Sequence, residues 1–349
     1  MRSSSRARAF VALCDARFRE FFRESEAVFW TFVFPVVLTV VLALAFRNRP
    51  VETLKVAVRD DPGSETIVQA LKASGRFDVK TQGRDEAYQS LRTGKVALVI
   101  LPLAGGEVEF RLDPTRDESV LARHEADAAL QRAAGRSDPV PVRTTEVQEP
   151  GSRYIDFLIP GLLGLGLMNG GMWGVGFHLV DMRIKRLLKR LLATPMRRGD
   201  FLLAQMTLRV GASVIEVGFL LVFARLALKV PIRGSLPAAF GVGALGALVF
   251  GGLGLLLASR AQRIETVMGL MNVVTLPMTI GSGVFFSVER FPAVVQPVIR
   301  LLPLTALIDV LRALLSEGAP LLSQATPLLI LSAWGIVSFA VALKLFRWS

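Results

Sequence analysis

Cysteine, histidine and tyrosine are nearly missing from this chain. Its 349 residues include one cysteine, Cys14, two histidines, His124 and His178, and two tyrosines. One cysteine excludes a disulfide scaffold, and two distant histidines beside it are a poor supply for a zinc centre. Charge is also scarce: 20% of residues are charged and 52% are hydrophobic, for a mean hydropathy of +0.49. That is too apolar for a disordered chain and too apolar for a water-soluble one of this length. An integral membrane protein remains. Acidic residues are the minority, 29 against 41 Lys+Arg, a formal charge of +12. In a membrane chain the excess is read by where it falls relative to the spans, so no nucleic-acid partner is expected.

Catalytic constellations are missing as well. Gly94-Lys95 is followed by Val96, with no glycine at the spacing a phosphate-cradling loop needs. Gly161, Gly164 and Gly166 lie inside an apolar run, where small residues let helices approach closely. Asp60-Asp61 belongs to the turn Asp60-Asp61-Pro62-Gly63. No Ser/His/Asp or Cys/His set is present. The expectation is a non-enzyme with no cofactor or metal site of its own.

What is present is a series of apolar runs long enough to cross a bilayer. They cover residues 28–46, 154–180, 201–228, 236–258, 264–287 and 325–346, which makes six spans. The stretch 291–315 is apolar but broken by Pro292, Pro297 and Pro303, and suits re-entrant or interfacial helices within a region 288–318. Residues 47–153 differ in kind. Mixed charges are dense there, strand-like pieces (54–58, 77–79, 96–101) alternate with helical ones (65–73, 85–92, 117–134), and no run could span. They read as a small α/β domain inserted after the first span. The fold class expected is therefore a membrane α-helical protein with an inserted extracytoplasmic α/β domain.

Orientation follows from the short loops. Arg2, Arg6, Arg8, Arg17, Arg19 and Arg23 precede the first span, seven basic residues from Arg183 to Arg198 follow the second, Arg260 and Arg263 follow the fourth, and Lys344 and Arg347 end the chain. The opposite short loops hold only Lys229, Arg233, Arg290, Arg300 and Arg312. This bias puts both termini in the cytoplasm, in an inner-membrane setting. A leader-like Ala43-Leu44-Ala45 lies at the end of the first apolar run, but the long basic lead and long run favour a retained anchor.

The segment 182–195 stands out. Ile184, Leu187, Leu188, Leu191 and Leu192 share one helical face, Arg183, Lys185, Arg186, Lys189 and Arg190 cover the rest, and Pro195 stops the helix. It is either an interfacial helix lying on anionic lipid or a docking helix for a cytoplasmic partner. Residues 1–27 read as a similar amphipathic helix in the cytoplasmic interface, with Phe10, Cys14, Phe18, Phe21 and Phe22 expected near one side. Within the spans, Arg209 and Arg225 lie near opposite ends of the third, where both can snorkel. Glu216 lies near mid-span, either a polar contact in a pathway or dimer seam, or a salt bridge inside the bundle. Asn169, beside Gly170 and Gly171, can hydrogen-bond across helices.

Three stretches carry a family resemblance. They are Tyr154-Ile155-Asp156-Phe157-Leu158-Ile159-Pro160-Gly161, Lys189-Arg190-Leu191-Leu192-Ala193-Thr194-Pro195, and Phe291-Pro292 with Leu302-Pro303-Leu304-Thr305 and Leu311-Arg312. In this order the chain resembles the membrane subunit of ABC-2-type ATP-binding-cassette exporters, in the branch with a large extracytoplasmic domain after the first span. The resemblance implies a coupling helix between spans two and three that meets separate cytoplasmic ABC ATPase subunits. Arg183, Arg186, Leu187, Lys189, Arg190, Leu191, Leu192, Thr194 and Pro195 would make that contact. It also implies a second permease copy, homodimeric or heterodimeric, with lipid around it, and ATP and Mg held by the ATPase. Where relatives often carry an acid-rich stretch and Gly-Thr, this chain has Met182, Ile184, Arg186 and Leu187, with Arg183 alone matching. The function implied is export of a hydrophobic or lipid-like cargo. The alternative is a non-transporting anchor relaying ATPase motion to an envelope partner. A gradient-driven transporter would need more intramembrane carboxylates than Glu216.

Overall fold

The computed structural model describes residues 15, 18, 19, 23, 25–47, 53–103, 106–136, 153–188 and 198–345. The chain divides into two compact units, an insertion Arg47–Val147 and the membrane unit formed by the segments that flank it.

In the insertion, strands β1 (Leu54–Arg59), β2 (Phe77–Gln82), β3 (Leu98–Pro102) and β4 (Val108–Leu112) form one sheet in the order β2-β1-β3-β4. β1 pairs parallel with β2 and with β3, and β4 is antiparallel to β3. Numbering helices through the whole chain, α3 (Ser64–Ala73) connects β1 to β2 and α4 (Arg84–Arg92) connects β2 to β3. The two crossovers run in opposite directions across the sheet, so a common right-handedness puts their helices on opposite faces. The packing agrees. Val56, Val58, Leu98 and Ile100 bury against Ile67 and Leu71 of α3 and Ala122 and Ala126 of α5 (Asp117–Ala133). Ala57, Val99 and Leu101 bury against Ala87 of α4. The central strands are covered on both sides, which is why their middles, Val56-Ala57-Val58 and Leu98–Leu101, read as continuous apolar runs. β4 was not expected, although its Val108-Glu109-Phe110-Arg111-Leu112 alternates as an edge strand does. The turn after β1 depends on Gly63, whose φ of 95° an L side chain rarely adopts.

In the membrane unit, α1 (Ser25–Val28), a π turn (Phe29–Val33) and α2 (Phe34–Arg47) follow one another without a break. The long helices are α6 (Tyr154–Ile184), α7 (Arg198–Ala227), α8 (Leu236–Ala258), α9 (Ile264–Gly281) and α12 (Ala325–Leu345). Among the described residues five helices are long and apolar enough to cross a membrane, and the apolar stretch Phe29–Leu44 is shorter. α6 extends past the expected end at 180, and its 31 residues reach roughly 46 Å, more than a hydrocarbon core of about 30 Å. The fifth run is shorter than expected. α9 stops at Gly281, and Gly283, at φ 79°, turns the chain so that Val284 packs against Gly161. Prolines divide the next stretch: α10 (Gln296–Arg300) has Pro297 in its first turn, and α11 (Pro303–Arg312) begins with Pro303. α11 is buried nearly throughout, from Leu304 to Leu311.

α6 and α8 are the centre of the bundle. Their apolar windows are 78% and 61% buried, against 22% for α9. They meet without side chains between them. A Cβ on Gly254 would lie 2.7 Å from the Met172 carbonyl oxygen, and one on Gly171 would lie 2.8 Å from the Phe250 carbonyl carbon. Neither backbone can yield to a side chain, so the approach requires glycine. Gly254→Ala is therefore expected to lower the unfolding midpoint in detergent, by a free energy of about 1–3 kcal/mol. Gly269→Ala, where a Cβ meets open space, is expected to hold or raise it through helix propensity. Thermal unfolding followed by tryptophan fluorescence checks both.

Candidate functional site

Among the described residues, polar groups inside the membrane unit gather in three places. The first is the buried middle of α7. Arg209 and Glu216 lie two helical turns apart on one face. Arg209 Nη2 donates to Glu216 Oε2 at 3.0 Å and also reaches the Leu167 carbonyl of α6 at 3.3 Å. Each side chain is 6% exposed. Gly166 and Gly170 of α6 leave the room: a Cβ at Gly166 would run into Glu216 Oε1, and one at Gly170 into the Arg209 guanidinium. Arg209 is thus turned inward to a carboxylate instead of snorkelling, while Arg225 is exposed. The partner of Glu216 is on its own helix. Asn169 is half-buried on α6, next to the Gly170 notch. A narrow cleft beside Glu216 is lined by Thr31, Phe32, Pro35, Leu162, Leu163, Phe219 and Leu220. The sequence signals for this arrangement are the seven-residue spacing of the charges and the Gly-x-x-x-Gly at Gly166 and Gly170.

The second place is the start of α6. Arg153 grips Asp156 through Nε at 3.1 Å and Nη2 at 2.9 Å, and donates to the Leu228 and Lys229 carbonyls, each at 3.2 Å. Tyr154 donates its hydroxyl to the Phe285 carbonyl at 3.1 Å. Arg312 stacks over the Phe157 ring at 4.0 Å and donates to the Gly283 carbonyl at 2.9 Å. The Tyr154–Phe157 stretch and Arg312, each picked out in the sequence as a family signature, therefore act together to fasten α6 to the α7–α8 loop, the turn after α9, and α11.

The third is the other end of α6. Met182 and Arg183 belong to its last turn, so the helix does not restart at 182 as the amphipathic pattern implied. The break comes at Lys185-Arg186, where Arg186 adopts a φ of 54°. Lys185 Nζ sits 2.8 Å from Asp181 Oδ2. Arg183 turns inward to the backbone carbonyls at the end of α8. Arg186 is exposed, Ile184 and Leu187 are exposed, and Leu188 is buried. The remaining residues of the expected contact, Lys189, Arg190, Leu191, Leu192, Thr194 and Pro195, lie outside the described residues, as do most of 1–24. Among the described residues no group of three or more His, Cys, Asp or Glu could hold a metal ion.

The buried pair has a measurable signature. Removing one partner leaves an uncompensated charge, a loss of about 3–5 kcal/mol, whereas replacing both with apolar groups of similar volume is often neutral. Glu216→Gln is expected to lower the unfolding midpoint more than the double substitution Arg209→Met, Glu216→Leu. The comparison is made by thermal unfolding of the purified chain in one detergent.

Comparison with known proteins agrees with this architecture. Residues 26–344 match the family described as "ABC-2 family transporter protein". The chain is similar to "Nodulation protein J" of Rhizobium meliloti (strain 1021), 29% identical over 199 residues, 56% of this chain and 75% of that protein. It is similar to "Probable multidrug ABC transporter permease YbhS" of Escherichia coli (strain K12), 23% identical over 338 residues, 88% of each chain. "Nodulation protein J" of Neorhizobium galegae is 30% identical over 173 residues, 49% of this chain and 65% of that protein. With the family matched along nearly its whole length, this multi-pass helical chain belongs to the ABC-2 family of transporter proteins.

Proposed function

We propose that the chain is the membrane-spanning permease subunit of an ATP-driven ABC exporter, in the branch with a large extracytoplasmic domain. A separate cytoplasmic ABC ATPase binds ATP and Mg and supplies the energy, and a second permease copy completes the pathway. In this reading the apolar stretch Phe29–Leu44 is the first of six spans, α10 and α11 form the re-entrant region 288–318, and the insertion faces the outside. Both termini are cytoplasmic, as the loop charges favour. The observation that carries the reading is the family match together with a strongly basic segment, 182–198, between two long apolar helices. That segment is where an ATPase would dock, through Arg186, Leu187, Lys189, Arg190, Leu191, Leu192, Thr194 and Pro195, with Arg183 turned inward behind them.

The cargo is hydrophobic or lipid-like. Support comes from the apolar helix surfaces and from the Arg209–Glu216 pair, which neutralises its own charge within α7 and leaves no net charge facing the cleft beside it. Asn169 and Glu216 line the pathway or the seam between copies. The name of the Escherichia coli relative, a multidrug permease, is in keeping with an apolar cargo. A second reading has the chain relay ATPase motion to an envelope partner without transporting, and the compact insertion with its own two-sided core favours it. Transport by the reconstituted complex after deletion of residues 50–150 would exclude that relay.

Charge reversal tests the coupling site. Lys189→Glu with Arg190→Glu is expected to abolish co-purification of the ATPase from membranes and ATP-dependent lipid movement in proteoliposomes. Unchanged association and transport would overturn the assignment.

A further inference from the structure

At the end of α8 the last backbone carbonyls have no partner within the helix, and the helix dipole makes them the negative pole. One side chain takes up three carbonyls there. Arg183 Nη1 donates to the Ala258 oxygen at 3.0 Å and to the Ala261 oxygen at 2.5 Å, and Nη2 donates to the Ser259 oxygen at 3.2 Å. Ala258, Ser259 and Ala261 are all buried. A planar fork of donors suits this set, and charge-assisted bonds of this kind are roughly twice as strong as neutral ones. A lysine, a point charge on a flexible stem, could not hold all three at once.

The clamp joins parts that are not neighbours in the chain. The segment after Arg183 is covalently linked to α6 on one side and α7 on the other, and α8 belongs to neither connection. Yet Met182, just before Arg183, and Leu188, beyond the turn, lie in one apolar cluster with Leu255, Ala258 and Ala261. Further along, α6 and α8 touch backbone to backbone at Gly171 and Gly254, so they cannot slide past each other. Lys185 and Arg186, by contrast, are exposed beside this inward-facing cation.

We propose that Arg183 is a positioning residue that fastens the coupling segment to the end of α8, so that force applied to 182–195 moves α6 and α8 as one body. It does so from the inside, through the α8 carbonyls, and the ATPase touches its neighbours instead. The proposal rests on the ATPase-coupling reading above.

The test uses the full-length chain with its ATPase in nanodiscs, in a Cys14→Ser background. Spin labels at Ile184→Cys with Leu343→Cys report the segment, and at Arg260→Cys with Leu343→Cys they report the end of α8. Distances are measured with and without ATP and vanadate. With Arg183 present, both distances are expected to change on trapping. In Arg183→Gln the change at position 184 persists, the change at position 260 is clearly reduced because only the distant Gly171–Gly254 contact still ties α8 to α6, and the ATPase remains bound. Arg183→Lys is expected to give a reduced change at position 260, and it carries the test alone if the glutamine variant does not fold. A full change at position 260 in either variant would overturn the proposal, and so would loss of the ATPase, which would make Arg183 a contact residue. If neither distance responds with Arg183 present, the coupling reading itself falls and takes this proposal with it.

Discussion

Two helices that touch through bare backbone can neither slide nor rotate without collision, and α6 and α8 meet in this way. Gly171 stands against the Phe250 carbonyl and Gly254 against that of Met172, with no side chain between to absorb a shift. The rest of the membrane unit is arranged around this contact. α11 and α12 lean on α8 where Gly246 receives Leu307 and Gly252 faces Ser338. Burial falls away from the pair, so α9 and α12 keep most of their apolar surface outward, as helices bordering lipid or a partner do.

Cations within such a bundle are costly unless held, and among the described residues four arginines of the membrane unit are held by atoms of a different helix or by a carboxylate. Arg153 takes Asp156 and the carbonyls after α7. Arg209 takes Glu216 and the Leu167 carbonyl. Arg183 takes the end of α8, and Arg312 takes Gly283 and the Phe157 ring. The guanidinium is the right group for this because its fork bridges several carbonyls at once. Charge here works as fastening between helices whose apolar faces alone would pack with little preference of register. The α6 ends and the α7 middle are thereby tied to particular partners.

Much of the architecture was legible in the sequence. The β1 and β3 runs and the three insertion helices stood out because a sheet covered on both faces leaves unbroken apolar strands between amphipathic helices. β4 does not stand out in the sequence although its alternation is regular, because a five-residue edge strand has no long apolar run to announce it. Five long apolar helices were legible by length, but their ends were not. α6 runs on to Ile184 because Arg183 and Met182 find partners on α8, and α9 stops at Gly281 because the following turn packs Val284 into the space left by Gly161. Arg209 was expected to snorkel, the default for a cation near a span end. Its carboxylate lies two turns along the same helix, and the notch that admits both lies on another.

Composition and periodicity by themselves determined that this chain lives in a membrane, carries an α/β insertion after its first apolar run, and places a basic amphipathic segment between two long helices. Those properties depend on which residues recur at which spacing, and spacing is written in the chain. Only the tertiary structure decided which face of each helix meets which neighbour, and so which charges are paired, which glycines are contacts, and which arginine turns inward. The reason is physical: a hydrogen bond from Arg183 to the Ala258 carbonyl joins residues 75 positions apart, and its geometry exists only once two helices have packed.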